Sequence, residues 1–306
     1  MKNSGISFKK SHMLIGMSIP LFMFVFFRLI PTAGMAGLSL TEFTRVGRWD
    51  TLNFIGLDHF RHFFTVLNIR DVTQMFSRTL IYAFSVAIIQ NGIALLLALL
   101  LNYKFLRGKT FYRAVVFMPV VLGVTITVAT FRVIFNPISG PAAQFLGMFG
   151  QRSDFFGDPG LAFPLTIFTH IWMYIGFSLV IYLAGLQAIS NELKESSYLD
   201  GAGGFNAFRY ITLPLIWPTV VLSMTFTLLN TLQDFTIILL ATGGNNNTMT
   251  LGMYMQANAF GAMGHATTPP RGVSYAAAVS WIMFAFTMII TLATRWVIKR
   301  KEVDVA

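Results

Sequence analysis

Six apolar runs divide the sequence, and each is long enough to cross a lipid bilayer as a helix. A hydrocarbon core of about 30 Å needs about 20 predominantly apolar residues in an α-helix. The runs span residues 13–35, 79–101, 114–135, 163–186, 215–240 and 276–297. The pattern therefore predicts an all-α polytopic membrane protein, with six transmembrane helices in a single domain over residues 1–306.

The first apolar run follows Lys2, Lys9 and Lys10, an arrangement that also occurs in signal peptides. The run is longer than the apolar region of a signal peptide, and no small-residue cleavage site follows it. We therefore interpret it as an uncleaved first span. The long connections at residues 36–78, 136–162 and 241–275 contain aromatic residues, so we expect them to be folded rather than disordered.

Basic residues lie mainly on one side of the predicted spans. They occur in the short loop between spans 2 and 3 and in the two tails: Lys104, Arg107, Lys109 and Arg113 in the loop, Lys2, Lys9 and Lys10 before span 1, and Arg295, Lys299, Arg300 and Lys301 at the end of span 6. Short cytoplasmic loops are enriched in lysine and arginine. Both termini are therefore expected to be cytoplasmic.

The composition excludes a soluble domain and several kinds of site. Hydrophobic residues make up 55% of the 306 residues and charged residues only 11%, whereas soluble proteins have about 25% charged residues. Lysine and arginine outnumber the acidic residues, 22 to 12, but they flank the apolar runs and form no single patch for nucleic acid. The absence of cysteine excludes disulfides, thiolate nucleophiles and cysteine-ligated metal sites.

The loop between spans 4 and 5, residues 189–214, has the pattern of two short helices around a glycine-rich hinge. Ser190 or Asn191 can cap the first helix. The glycines after Asp200 stop that helix because glycine adopts positive φ without strain. In the second segment Phe205 and Phe208 recur at helical spacing. Such a pair of helices at the membrane surface is suited to docking a partner.

The same loop resembles the EAA loop of the membrane permease subunits of binding-protein-dependent ABC importers. Eight residues match that pattern at its fixed spacing: Glu195, Asp200, Gly201, Ala202, Phe208, Ile211, Leu213 and Pro214. Ser196 and Ser197 stand where the pattern has two alanines, a change among small residues. The resemblance extends over nearly the whole chain and is closest to the carbohydrate branch, of the maltose or glycerol-phosphate type.

This resemblance implies a protein that acts only together with partners. It implies a transmembrane permease subunit of an ATP-driven importer for a sugar or oligosaccharide, in a bacterial plasma (inner) membrane. A second permease forms the other half of the pathway, a homodimeric or heterodimeric ATPase binds the EAA loops, and an extracytoplasmic binding protein delivers the carbohydrate. ATP and Mg²⁺ then bind to the partner ATPase, and no cofactor is expected on this chain. Glu195, Asp200, Gly201 and Ala202 are the expected ATPase-coupling residues.

Two sets of side chains within the spans are candidates for substrate binding. Span 5 has polar residues at i, i+3, i+4 and i+7, which lie on one helical face: Thr227, Asn230, Thr231 and Asp234. Span 4 has hydrogen-bonding and aromatic residues: His170, Met173, Tyr174 and Phe177. Polar groups in lipid tend to face a cavity or another helix. These residues therefore either line the pathway, as in maltose-type permeases, or pack between helices.

Several other residues within the spans have individual predicted roles. Asp234 is the only acidic residue within a span and can bind substrate hydroxyls or pair with Arg132. Gln90 and Asn91 in span 2 are expected to hydrogen-bond between helices. Val120 and Val124 on span 3 match positions that contact substrate in the family but are apolar, so they are expected to contribute shape only.

The sequence is less consistent with an ATPase, an intramembrane enzyme or a secondary transporter than with a permease. The Gly108-Lys109-Thr110 segment lacks the preceding glycine of a phosphate-binding loop, since that position is Tyr103, so ATP hydrolysis requires a partner. The spans have no paired carboxylates or zinc-binding helix, so an enzyme is not expected. A secondary transporter or channel is the remaining alternative, because polar stripes also serve ion-coupled transport. Such a protein has no need of a docking loop.

Overall fold

The protein is almost entirely helical. The computed structural model describes residues 10–43, 53–65, 67–103, 106–190, 192–193, 203–261 and 272–299. Within these residues the α-helices are α1 (Lys10–Phe24), α2 (Ile30–Leu38), α3 (Asp58–Thr65), α4 (Ile69–Asn102), α5 (Lys109–Val121), α6 (Val124–Ile134), α7 (Pro141–Gly147), α8 (Ala162–Gln187), α9 (Gly204–Ala207), α10 (Leu213–Gln233), α11 (Thr236–Thr242), α12 (Leu251–Phe260) and α13 (Val273–Lys299). The prediction of an all-α protein is thus confirmed.

Short non-α segments join some of these helices. π-helical turns at Val25–Leu29 and Phe208–Thr212 continue α1 into α2 and α9 into α10, and a 3₁₀ turn covers Phe155–Gly157. The strands β1 (Thr41–Glu42) and β2 (Asn53–Phe54) form one antiparallel pair, in which Thr41 faces Phe54. In the described parts of the long connections, α3, α7 and α12 are ordered helices, as their aromatic content predicts.

Five helical stretches of the described chain are long and apolar enough to cross a membrane, and there are six if one bent pair of helices is counted as a single span. The five are Met17–Leu38, Ile69–Asn102, Ala162–Gln187, Gly204–Gln233 and Val273–Ile298. The second begins ten residues before the predicted start at Thr79, because its N-terminal turns extend beyond the apolar run. Asn68 caps this helix by accepting a hydrogen bond from the backbone N–H of Arg70, at 3.3 Å.

The third predicted span is bent, and the prediction of one continuous helix over 114–135 is wrong. Helices α5 and α6 meet at an angle of 97°. Gly123 lies at the bend with φ of 77°, a conformation that glycine adopts at little cost. Pro119 lies within the last turn of α5 and has no backbone N–H to donate. Both breakers lie inside an otherwise apolar run.

The fifth predicted span is interrupted as well. Helix α10 ends at Gln233, and α11 begins at Thr236, so the predicted helix over 215–240 is not continuous. Asp234 has extended backbone, and its Oδ1 accepts a hydrogen bond from the backbone N–H of Thr236, at 2.9 Å. A short carboxylate side chain can replace a helical hydrogen bond in this way. The break places a carboxylate at the end of a membrane helix.

Helices α4, α8 and α10 form the centre of the bundle. Small residues on α4, including Ala83, Ala87, Ala94 and Ala98, are fully buried and allow close approach of the neighbouring helices. At the same level the Asn91 amide joins all three helices. Its Nδ2 donates to Thr227 Oγ1 at 3.1 Å, and its Oδ1 accepts from Tyr182 and Ser223 at 3.0 and 2.6 Å. The prediction that Asn91 hydrogen-bonds between helices is confirmed.

The first span lies at the periphery of this bundle. The side chains of residues 17–34 are all exposed, including Phe22, Phe26 and Phe27. Helix α2 contacts α13 beyond this stretch, where Ser39 becomes buried. An exposed and aromatic helical surface of this length is typical of a lipid-facing span.

Candidate functional site

A cavity of about 380 Å³ lies between α4, α5, α8 and the α10–α11 break. Its lining residues are Gln90, Val120, His170, Tyr174, Phe177, Thr227, Leu229, Asn230, Gln233, Asp234, Phe235 and Thr236. The cavity thus combines amide, hydroxyl, imidazole and carboxylate groups with aromatic rings. Pockets that recognise small polar ligands have such a mixture of apolar walls and a few directed polar groups.

Six of the eight residues predicted to bind substrate line this cavity: His170, Tyr174, Phe177, Thr227, Asn230 and Asp234. The other two lie elsewhere. Met173 is 3% exposed, and Thr231 is 1% exposed and donates to the Thr227 carbonyl of its own helix, at 2.8 Å. These two residues are packed inside the bundle, which was the alternative to lining the pathway. A role of the six in substrate binding stays a prediction.

Asp234 is held by a buried network at one end of the cavity. Its Oδ2 accepts a hydrogen bond from the Tyr82 hydroxyl at 3.1 Å and lies 3.3 Å from Nδ1 of His170. The Tyr82 oxygen also lies 2.9 Å from the same nitrogen. Tyr82 is fully buried, and His170 is 4% exposed. The carboxylate is therefore fixed by side chains from α4 and α8 and by the Thr236 backbone.

Arg132 is not the partner of Asp234. Its guanidinium donates to the carbonyl of Leu240 at 3.4 Å, and the side chain lines a separate cavity of about 710 Å³ that also includes Asp154 and Asn246. Of the two roles that the sequence left open for Asp234, pairing with Arg132 is thus excluded. His170 is the basic side chain in contact with Asp234 in the described part of the chain.

Gln90 has two roles, although the sequence indicated only packing between helices. Its Nε2 donates to Ser178 Oγ at 2.8 Å and to the Tyr174 carbonyl at 3.4 Å, which joins α4 to α8. The side chain also lines the cavity. Its Oε1 receives no hydrogen bond from the described residues. This oxygen is itself buried, so it is the rest of the side chain that borders the cavity.

Sequence reasoning missed Tyr82 and the residues around the helix break, Gln233, Phe235 and Thr236. Tyr82 lies eight residues before Gln90 on α4, a spacing that places both on one helical face. A hydroxyl group inside an apolar run, aligned with a second polar residue, was therefore an available signal. The break after Gln233 was not predicted, because the helical spacing of the polar residues up to Asp234 favoured one continuous helix.

The predicted coupling residues Glu195, Asp200, Gly201 and Ala202 lie outside the described residues. The flanking parts of the loop are described. Ser190 Oγ accepts a hydrogen bond from the backbone N–H of Leu193 at 3.4 Å, in agreement with the predicted cap. Beyond the hinge, α9 and a π-helical turn lead directly into α10. The loop therefore joins the two helices that supply most of the cavity wall.

Comparisons with known proteins agree with this architecture. A family described as the binding-protein-dependent transport system inner membrane component matches residues 10–303. The multiple sugar-binding transport system permease protein MsmF of Streptococcus mutans is 27% identical over 93% of this chain and 94% of its own length. The sn-glycerol-3-phosphate transport system permease protein UgpA of Pectobacterium atrosepticum is 31% identical over 62% of this chain and 64% of its own.

A solved structure gives the same fold. It is the crystal structure of a bacterial ABC transporter involved in the import of the acidic polysaccharide alginate. One of its chains superimposes with a TM-score of 0.78 at 23% identity, over 96% of this chain and 97% of that chain. At this identity the likeness concerns the fold.

Proposed function

Because this chain belongs to the family of binding-protein-dependent transport system inner membrane components, we propose that it forms one half of the membrane pathway for a carbohydrate. It is an integral membrane permease of an ABC importer and not an enzyme. The family couples such permeases to a separate ATPase. The carbohydrate substrate, the arrangement of partners and the orientation in the membrane are the proposed parts.

The mixed cavity between α8 and α10 is the observation that supports a carbohydrate substrate. Sugars have many hydroxyl groups and flat C–H faces, so they bind where amides and hydroxyls lie next to aromatic rings. Asn230, Thr227 and Gln90 supply polar groups, and Tyr174 and Phe177 supply rings. MsmF, which is named for multiple-sugar transport, is similar over nearly its whole length.

The remaining parts of the proposal concern the assembly. The eight matches to the EAA pattern favour an ATPase bound at the loop between α8 and α10, with ATP and Mg²⁺ on that partner. The basic loop and tails favour cytoplasmic termini. An extracytoplasmic binding protein delivers the carbohydrate on the opposite side. A second, different permease completes the pathway, because this chain is proposed to form only one half of it.

Affinity purification from native membranes in a mild detergent tests this assembly. We expect the tagged chain to bring with it an ATPase and a second six-span permease, identified by mass spectrometry. A charge-reversed Glu195→Lys variant serves as the control, because it should retain the second permease and lose most of the ATPase. Recovery of the wild-type chain alone, under conditions that preserve a known ABC importer, would contradict the proposal and favour the secondary transporter.

Tyr174→Phe and Asn230→Leu test the cavity. Each removes a hydrogen-bonding group at nearly constant volume, and one hydrogen bond contributes about 0.5–1.5 kcal/mol. We therefore expect KM for uptake to rise about two- to tenfold in proteoliposomes containing the complete transporter. Tyr182→Phe is the matched control on α8, because that hydroxyl bonds to Asn91 outside the cavity. If KM is unchanged in both test variants, these residues are not in the site.

A further inference from the structure

The cavity has a carboxylate but no lysine or arginine. Among its twelve described lining residues, Asp234 and His170 are the only ones that can be charged near neutral pH. With a neutral His170 the wall has a net charge of −1, and with a protonated His170 the two charges cancel. The part of the pathway described here is therefore never positively charged.

The groups that hold Asp234 direct their hydrogen bonds at its carboxylate and not at the cavity. An ionised carboxylate only accepts hydrogen bonds. Tyr82 has one hydroxyl proton and donates it to Asp234, and Nδ1 of His170 lies within hydrogen-bond distance of both oxygens. The first backbone N–H of α11, from Thr236, is also donated to Asp234. The Tyr82 hydroxyl and the Thr236 N–H are thus both used within the protein.

From this arrangement we infer that Asp234, held by Tyr82 and His170, selects uncharged carbohydrates and discriminates against anionic ones. This inference rests on the proposed carbohydrate function and narrows its substrate class. A hydroxyl group can donate to the carboxylate, whereas a carboxylate or phosphate on the substrate meets no lysine or arginine among the described lining residues and is repelled by Asp234. The similar proteins UgpA and the alginate transporter are named for anionic substrates, so the distinction separates real alternatives.

The size of the effect follows from the charge separation. Two unit negative charges about 6 Å apart weaken binding about threefold in water and about a hundredfold at an effective dielectric constant of about 20. The Asp234 side chain is 15% exposed, so we expect the repulsion to lie between the values for these two environments. We expect a preference of about tenfold for a neutral oligosaccharide over its oxidised counterpart. Tyr82 is a positioning residue, because it acts through Asp234.

The test has two stages. First, cells that lack their other carbohydrate importers express the complete transporter and are offered an array of neutral and acidic mono- and oligosaccharides. Second, the complex of both permeases and the ATPase is purified without the binding protein. Its affinity for an imported oligosaccharide, and for the same molecule with a terminal C6 hydroxyl oxidised to a carboxylate, is measured by saturation-transfer NMR. Omitting the binding protein removes its own selectivity from the result.

Wild type is expected to import neutral sugars and to bind the oxidised probe about tenfold more weakly than the neutral one. Asp234→Asn should reduce this ratio to about threefold or less, and Tyr82→Phe should reduce it partly. Asp154→Asn, in the separate outer cavity, should leave the ratio unchanged. These readouts are ratios within one variant, so a general loss of folded protein does not change them.

Three results would overturn the inference. They are import of acidic carbohydrates as efficient as that of neutral ones, equal affinity of wild type for both probes, and a ratio that Asp234→Asn does not change. Failure of wild type to bind either probe despite import places the site elsewhere and also overturns it. Import of no carbohydrate at all refutes instead the proposed function on which the inference rests.

Discussion

Gly176→Leu is expected to eliminate most of the correctly folded protein. Gly176 lies in the middle of α8, where that helix packs directly on the backbone of α5. A Cβ atom at this position would lie 2.6 Å from the Val116 carbonyl oxygen and 2.8 Å from Cα of Phe117. Both are backbone atoms of a helix and have no rotamer by which to move away. Overpacking costs about 1–3 kcal/mol when side chains can adjust, and more when they cannot.

The yield of monodisperse protein in detergent, measured by fluorescence-detected size-exclusion chromatography, checks this expectation. Gly92→Leu is the matched control, because Gly92 is also within a long span, on α4, and a Cβ there meets nothing within 4 Å. That variant should be produced at the wild-type level, and leucine favours a helix more than glycine does. A wild-type chromatogram for Gly176→Leu would show that α5 and α8 are not packed as described.

The apolar runs could be located in the sequence because a membrane span depends on one physical length. A bilayer requires about 20 apolar residues, and the sequence has such runs separated by polar segments. Whether each run forms a straight, bent or interrupted helix could not be predicted in the same way. Pro119 and Gly123 are both visible in the third run, yet many membrane helices tolerate such residues. The 97° bend depends on what the two half-helices pack against, which is information from distant parts of the chain.

The candidate site was likewise predictable only where it depends on local spacing along the chain. Helical periodicity correctly placed Thr227, Asn230 and Asp234 on one face of span 5, since that relation is local. It also included Thr231, which is buried against other residues. The contact between Tyr82 and Asp234 joins residues 152 positions apart and depends on how α4 packs beside the α10–α11 break. A single sequence does not show which residues far apart along the chain are in contact.

The predicted coupling residues have support from the sequence only. Glu195 and Gly201 lie outside the described residues, and their assignment depends on a spacing pattern alone. The described structure contributes their setting, since the loop connects α8 to the π-helical turn and α10. Both helices line the cavity. Movement of the loop by a bound ATPase would therefore act on the substrate pathway through continuous helices.

Glu195→Lys and Gly201→Val are each expected to reduce ATP-driven uptake at least about a hundredfold while membrane insertion stays normal. The first reverses a charge at a proposed contact with the ATPase, and loss of a charge pair buried at an interface costs about 2–5 kcal/mol or more. The second replaces a glycine of the predicted hinge by a β-branched residue, which lacks the backbone freedom of glycine. Uptake, membrane insertion and ATPase capture are measured on the same preparations, so a failure of coupling is distinguished from a failure to fold.

Two neighbouring substitutions make the comparison specific. Glu192→Lys reverses an exposed charge three residues before Glu195, at a position outside the eight matches. Gly203→Val adds the same side chain where φ is −60° and the space around Cβ is open. Both controls should retain uptake within about threefold of wild type, because neither removes a residue of the pattern. Equal losses of uptake in test and control variants would indicate that substitutions anywhere in the loop impair transport. Normal uptake by Glu195→Lys and Gly201→Val would mean that ATP hydrolysis is coupled to transport through another surface.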